Sequence, residues 1–461
     1  MSATTQAASD VAPAKHRLID PANGRLWHAA LALLLAGTAF LMLYMTRGLT
    51  FNLDEWTVIT QRRGPGAPSL LEPHNEHLTL LFFAVFLPLL KLGGLDAFAL
   101  MMLPLAALQV GLGALLFVIT QRRLGAGVAV GVAAFALLSG LAYENFLIPG
   151  QAAQMFSIVA GVGAFALLDK PRTPRTDWGL AALLVVILVV VAYRAFRVGA
   201  AGRIRLAALA VILLTFYGLT AVSRHDIAPP SSSRYLTVGI VFLLLMLVEA
   251  ARGWKIRIWV PFVVLLLVWI SFGKADGNAD ALRDGRILFL QRSEHVRASL
   301  GAVELLGRDR VAPTFEIAPL AAPFLEAGPW FDTLAGLRGN PGYSASQLVR
   351  APADARVFAD DTLIRAGGLA MAPGGVVSAT RRARCVALRG SIVPPAGVRV
   401  EAGATRERTV RARRFGTEWK LVGVFPVPAG RAIELRPLKD ASPVPYEIRT
   451  QGPGRTCRLG A

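Results

Sequence analysis

Charge is scarce in this chain. Asp, Glu, Lys and Arg make up 17% of its 461 residues, where a soluble protein of this size carries about a quarter. The deficit sits in the first 273 residues, and it excludes a soluble globular fold for that part. Cysteine is nearly absent. Cys385 and Cys457 are the only two, too few for a disulfide-dense scaffold. Both lie in the C-terminal part, near the two ends of one stretch. That placement fits a single disulfide formed in an oxidising compartment, the alternative being two buried thiols. No HExxH metal signature occurs, and no internal repeat is visible. No small-residue cleavage site follows the first apolar run, which a 28-residue, largely polar stretch including Lys15, Arg17 and Arg25 precedes. The N-terminus therefore reads as a cytoplasmic tail ahead of an uncleaved anchor.

What the chain has is long apolar runs. Nine segments stand out: 29–46, 78–92, 97–119, 126–143, 152–168, 178–193, 206–222, 235–248 and 258–272. The first, of 18 residues, is long enough to cross a bilayer. Several others are short for a span, and 78–92 carries Lys91 near its end. Trp27, Trp178, Trp254 and Trp259 lie at segment ends and fit an interfacial aromatic belt. The net charge is +19. In a soluble protein that would suggest nucleic-acid binding. Here much of the positive charge lies in short loops between apolar segments, where Lys and Arg set orientation, so no nucleic acid is expected as a partner.

Two membrane paths follow from the charges. If all nine segments cross, Arg122, Arg123, Lys170, Arg172 and Arg175 face outside, against the positive-inside rule. If 78–92 lies in the interface and 178–193 does not cross fully, seven spans remain. The basic loops 121–123, 170–175, 194–205 and 252–257 are then all cytoplasmic. Both paths put 47–77, 223–235 and the C-terminal part outside; they disagree on 144–151. The seven-span path is preferred near the N-terminus, and the wholly apolar 178–193 is its awkward element.

Past the last apolar segment the pattern changes. Over 274–310, apolar residues such as Leu282, Leu300 and Leu306 recur at helical spacing among charges and predict an amphipathic helix, on the membrane surface or packed on the next domain. Residues 311–354 are rich in Pro, Gly and Ala with few strong elements. From about 355, short β-like runs at 375–379, 385–388, 398–400, 420–425 and 432–435, broken by Gly and Pro, suggest a small β-sandwich. The expected fold is an all-α polytopic membrane domain of seven to nine helices followed by a small extracytoplasmic β-sandwich-like domain. The expected divisions are a cytoplasmic tail over 1–28, a membrane domain over 29–273 with its first outer loop at 47–77, a connector over 274–354 and the β domain over 355–461. Such a protein is a multi-pass cell-membrane protein.

Candidate chemistry concentrates in the first outer loop. Asp54 and Glu55 follow the first apolar run within ten residues. Adjacent carboxylates at a membrane surface can bind a divalent cation or take a proton from an acceptor. Glu72, His74, Glu76 and His77 sit within six residues just before an apolar helix. His74 and His77, three apart, can share a helix face, and with Glu72 they suit a divalent metal ion of unspecified identity. The alternative is a polar segment that caps the helix. In 223–235, Arg224 and Arg234 lie among hydroxyl residues. Guanidinium forks match phosphate oxygens, or else these arginines reach lipid head groups. Tyr143, Glu144, Asn145, Gln151 and Gln154 flank a break between apolar segments and would line a cavity or cap helices. The β region has no histidine and no nucleophile constellation. Trp330, Trp419 and Tyr446 would stack on a sugar ring, or belong to the core.

The order of these features resembles the GT-C superfamily of membrane glycosyltransferases, which includes the protein O-mannosyltransferases and the aminoarabinose transferases acting on lipid A. The resemblance rests on a first span, Asp54-Glu55, a polar segment leading into an apolar helix, and Gln121-Arg122-Arg123-Leu124-Gly125 between two spans. It covers roughly 25–170, with a weaker echo at Ser232-Ser233-Arg234-Tyr235. It implies transfer of a sugar from a polyprenyl-phosphate donor to an outer-face envelope acceptor. Asp54 or Glu55 would be base or metal ligand, and Arg224 or Arg234 would meet the donor phosphate. The middle of this chain, around 178–205, is shorter than in those enzymes, as in a shortened relative. The reading from another class is a non-catalytic membrane-anchored envelope protein whose β domain binds glycan or a protein partner.

Overall fold

A computed structural model describes residues 21–62, 80–167, 200–224, 233–252, 257, 259–273, 277–378, 385–402, 407–428, 430–440 and 442–459. It is mostly helical, with a C-terminal β-sheet region. Two compact units form. One takes 1–41, 107–142 and 157–279; the other takes 42–106, 143–156 and 280–461.

The helices through the apolar part are α1 (Pro21–Met45), α2 (Asp54–Gln61), α3 (Leu80–Gly93), α4 (Phe98–Leu124), α5 (Ala126–Leu137), α6 (Glu144–Leu147), α7 (Ala152–Leu167), α8 (Ala200–Arg224), α9 (Ser233–Ala250) and α10 (Val260–Gly273). Among the described residues, three stretches are long and apolar enough to cross a membrane. Gly24–Met45 has 22 residues and mean hydropathy 2.0, and Phe98–Leu124 has 27 and 2.2. The third, Val260–Leu306, has 47 and 1.6, its apolar part being α10. Phe83–Gly93, Ala126–Leu137, Ile204–Leu219 and Tyr235–Glu249 are apolar but shorter. Length and composition alone therefore support three membrane helices. The expected segment 178–193 lies outside the described residues, and one apolar run makes a helix shorter than itself. The run 126–143 yields a helix that stops at Leu137 and a separate 3₁₀ turn at Gly140–Ala142. Twelve helical residues reach only about 18 Å, against the ~30 Å of a hydrocarbon core.

In the first unit, contacts gather the helix ends. Arg123 in the last turn of α4 and Arg205 near the start of α8 each donate to Glu249 near the end of α9 at 2.8 Å. The Arg123 guanidinium also lies 5.3 Å from the Phe165 ring near the end of α7. At the start of α1, Trp27 meets Phe262 of α10 with ring centres 6.1 Å apart, and His28 meets Phe117 of α4 at 5.3 Å. Glycine lets α5 and α10 approach: a Cβ on Gly131 would fall 2.4 Å from a Val264 methyl. Past the far end of α5, the Gly140 N–H donates to Asn278 Oδ1 at 3.0 Å.

The second unit holds α2, α3 and the C-terminal part. The helix predicted over 274–310 is α11, Asn278–Leu306. Its charges (Asp280, Arg283, Asp284, Arg286, Arg292, Glu294, Arg297, Glu304) set it outside any membrane span, where such charge is costly. Over 311–354, expected to hold few strong elements, the chain forms a hairpin of β1 (Glu316–Ala318) and β2 (Ala322–Glu326), then α12 (Ala327–Gly336) and α13 (Ala345–Arg350). Helix α13 opens on a capping box, with Ser344 and Gln347 each serving the other's backbone N–H. Helix α14 (Ala353–Arg365) follows.

Eight strands complete the unit: β3 (Leu369–Ser378), β4 (Val386–Ala387), β5 (Val398–Ala402), β6 (Glu407–Arg413), β7 (Lys420–Pro426), β8 (Arg431–Pro437), β9 (Glu447–Gln451) and β10 (Gly454–Arg458). A five-stranded antiparallel sheet has the order β3-β8-β5-β10-β4, and a three-stranded one β7-β6-β9. The sheets share one core, Val398, Val400, Ile433 and Leu435 from the larger meeting Val410, Ala412 and Ile448 from the smaller. Cys385 and Cys457 are disulfide-bonded, with Cα atoms 5.1 Å apart, and tie the segment entering β4 to β10. Asp360 of α14 is buried and accepts the backbone N–H groups of Arg414, Phe415 and Gly416, each at 2.8 Å, so the helix holds the β6–β7 turn. Arg414 in that turn is paired with buried Asp440 and lies 4.6 Å from the Tyr446 ring.

Helix α11 packs on α14 through His295, whose ring stacks on Phe358 at 3.7 Å. Burial lowers the His295 pKa from its ordinary 6.5 to about 4, Arg365 adding to the drop and Asp361 opposing it. The folded chain therefore binds fewer protons than the unfolded chain between those values. Stability should fall as pH drops from about 6.5 to about 4, by on the order of 3 kcal/mol, and this contribution should be flat outside that window. Thermal melts of the detergent-solubilised chain from pH 4 to 8 measure this. His295→Phe, which keeps the stack and removes the titration, should flatten the slope.

Candidate functional site

The segment after α1 is built from backbone constraints. Leu53, the residue before α2, has φ 43° and ψ −119°. A branched side chain avoids that region, at a cost on the order of 1–3 kcal/mol, unless its surroundings impose it. The imposing group is Glu55. It is 2% exposed. One of its carboxylate oxygens accepts the Asn52 N–H at 2.9 Å, and the other accepts the Gly150 N–H at 2.7 Å. The first bond satisfies a donor at the helix entrance, as the acidic half of a capping box does. The second fastens the α6–α7 connection to the start of α2. Asn52 in turn donates its side-chain amide to Thr50 O at 2.9 Å. That bond fixes the amide's orientation, and its buried Oδ1 accepts no hydrogen bond among the described residues.

Apolar packing completes the frame. Trp56 is fully buried, donates its indole N–H to Phe51 O at 2.6 Å, and meets Phe51 and Trp330 edge-on, ring centres 5.6 and 5.7 Å apart. Phe51 also meets Phe86 and Phe98. Trp330 donates to Glu304 of α11 at 3.2 Å, and Asn340 donates to the same carboxylate at 2.6 Å. Burial raises the Glu304 pKa, and the two donors oppose that rise. From α11, Arg286 donates to Met45 O at 2.8 Å, and Ser293 Oγ accepts the Thr50 N–H at 3.1 Å. The stretch 45–56 is thus held from beneath by α11.

The sequence-derived candidates fall as follows. Asp54 and Glu55 open α2 together; the Asp54 side chain lies outside the described ones. Glu55 is a backbone-holding carboxylate with both oxygens engaged. Glu72, His74 and His77 lie outside the described residues. Arg224 ends α8 and Arg234 opens α9, with side chains outside those described; both belong to the first unit, whereas Asp54 and Glu55 belong to the second. Among the described residues, the group of three potential metal ligands within reach of one another is Cys385, Glu401 and Cys457, and its sulfurs are spent in the disulfide. Of the three candidate sugar platforms, Trp330 is 0% and Tyr446 2% exposed, so neither can stack on a glycan, and the Arg413 guanidinium lies 4.5 Å from the Trp419 ring. Sequence reasoning missed Asn52, Leu53 and Gly150 as parts of the frame. The i, i+3 spacing of Asn52 and Glu55 was a visible signal for the first; nothing local marked Gly150.

No family model matches the chain, and no curated protein or solved structure matches it.

Glu55→Gln keeps one acceptor oxygen but sets an amide donor against a backbone N–H. It should destabilise the protein by roughly 1–3 kcal/mol, and Glu55→Ala by more, because two buried N–H groups lose their partner. Melting temperatures of the solubilised variants check this. An unchanged melt for Glu55→Ala would contradict the clamp.

Proposed function

We propose that this chain is a GT-C-like membrane glycosyltransferase, moving a sugar from a polyprenyl-phosphate donor to an acceptor hydroxyl at the outer face. The observation that carries the reading is the entrance of α2. An acidic pair follows a membrane-length helix directly, on a backbone strained at Leu53 and clamped by Glu55. Strain maintained at such a place is a mark of function. The clamp divides the labour between the two acids. Glu55 positions. Asp54, its neighbour on the same rigid turn, is the general base.

In the proposed step Asp54 accepts the proton of the acceptor hydroxyl as that oxygen attacks the anomeric carbon. The carbon–oxygen bond to the phosphate breaks, its electron pair leaves with the phosphate oxygen, and the configuration inverts. Arg234 or Arg224 neutralises the departing phosphate. A divalent cation held by Glu72, His74 and His77 would add Lewis-acid help.

The contacts also support the seven-span path. The clamp joins Gly150 to Glu55, which supports the reading that 144–151 shares a side with the first outer loop. Arg123, Arg205 and Glu249 meet in ion pairs, whereas a nine-span path would part Arg123 from the other two across the bilayer. The ends of α4, α8 and α9 that carry basic residues then face the cytoplasm together.

Asp54→Asn should keep the wild-type melt and lose at least about 100-fold in transfer of radiolabelled sugar from polyprenyl-phosphate donors to membrane acceptors. No turnover by the wild type with any donor, with unchanged envelope sugars on deletion, would favour the binding-protein reading instead. For the path, single cysteines in R122C and R172C should resist a membrane-impermeant maleimide in intact cells and react after permeabilisation. Labelling of R122C in intact cells would restore the nine-span path.

A further inference from the structure

The β1–β2 hairpin exposes two large apolar side chains. Its inner side is closed, with Ile317, Ala322 and Leu325 fully buried. At its tip Leu320 is 81% exposed, and along β2 Phe324 is 61% exposed. Strand alternation would put Phe324 on the buried side with Ala322. Instead the pairing is irregular between Glu316 and Ala318, and Phe324 takes φ 65°, a conformation that a bulky residue avoids. Such a bulge re-aims a side chain, here out of the core. A strained backbone that delivers an aromatic ring to the surface calls for something to receive the ring.

Composition and place identify the receiver. From Ile317 to Leu325 the chain carries no charge. Pro319 and Pro323 have no N–H to satisfy, and the Ala321 N–H is donated to Ala318 O at 3.0 Å. Few backbone donors at the tip then need water, as an apolar medium requires. The base is fastened, Arg365 of α14 donating to Glu316 O at 3.3 Å and to Ile317 O at 3.2 Å. Strand β2 packs along α2, and residues 46–53 alone separate α2 from the membrane-length helix α1. At the end of α1 the Arg47 guanidinium lies 5.2 Å from the centre of the half-exposed Tyr44 ring, a pairing suited to the bilayer interface.

We propose that the β1–β2 hairpin is a membrane-surface anchor, with Leu320 and Phe324 seated in the interfacial region of the lipid beside the end of α1. It holds α2 against the bilayer. The inference rests on the membrane reading of α1 and is independent of the transferase reading.

Single cysteines in full-length L320C and F324C, labelled with a fluorescent maleimide and reconstituted into phosphatidylcholine–phosphatidylglycerol vesicles, test it. Both positions are exposed, so neither change opens the core, and the native cysteines are held in their disulfide. T417C, in the exposed β6–β7 turn beside Glu418, is the water-facing reference. Phosphatidylcholine spin-labelled near its head group should quench both hairpin labels several-fold more than the T417C label, and aqueous iodide should quench them several-fold less. Iodide quenching at either hairpin position equal to that at T417C overturns the proposal. Labels that neither quencher reaches mean that protein covers the hairpin, and overturn the lipid as occupant.

Discussion

One carboxylate organises the second unit's candidate site. Glu55 spends both oxygens on backbone N–H groups 95 residues apart in sequence. Both bonds lie in the interior, and a buried N–H without a partner costs about as much as a lost hydrogen bond. The strained Leu53, the start of α2 and the Gly150 turn are therefore fixed together. The aromatic packing of Phe51, Trp56 and Trp330 and the anchoring by α11 restrict the same stretch from other directions. A side chain projecting from that turn is held by rigid elements, which is what a positioned base needs.

The first unit depends on a different constraint. Its helices carry little charge except at their ends, and among the described residues the buried charge is gathered around Glu249. An ion pair in an apolar setting is costly to break by removing one partner, so it registers α4, α8 and α9 against one another. Small residues do similar work between α5 and α10, where Gly131 admits Val264.

Much of this architecture was legible in the sequence, because its signals are local. Apolar runs, the charge shift at about 274, the helical spacing of Leu282 to Leu306 and the pair Cys385–Cys457 all answer to elements in the structure. Helix lengths were less legible, since an apolar run such as 126–143 hides the break after Leu137. Strand β6 was missed because it reads as charged. Arg408, Val410 and Ala412 share its buried face, and Arg408 donates one guanidinium N–H to Gly452 O. Strands β9, at the edge beside β6, and β10, between β5 and β4, are also mostly polar and were missed in the same way. The Asp54–Glu55 pair was visible as chemistry, but the use of Glu55 as a clamp was not. That depended on Gly150, a residue with no side chain to announce it.

The proposed transferase gives its two adjacent acids different work, Glu55 structural and Asp54 chemical. The pH dependence of single-turnover sugar transfer tests this directly in the wild type, Glu55→Gln and Asp54→Asn, each held below its melting temperature. With Asp54 as the proposed base, the acid-side fall in rate should persist in Glu55→Gln and vanish in Asp54→Asn, whose residual rate is flat. An acid limb that vanishes with Glu55→Gln and survives in Asp54→Asn would contradict it.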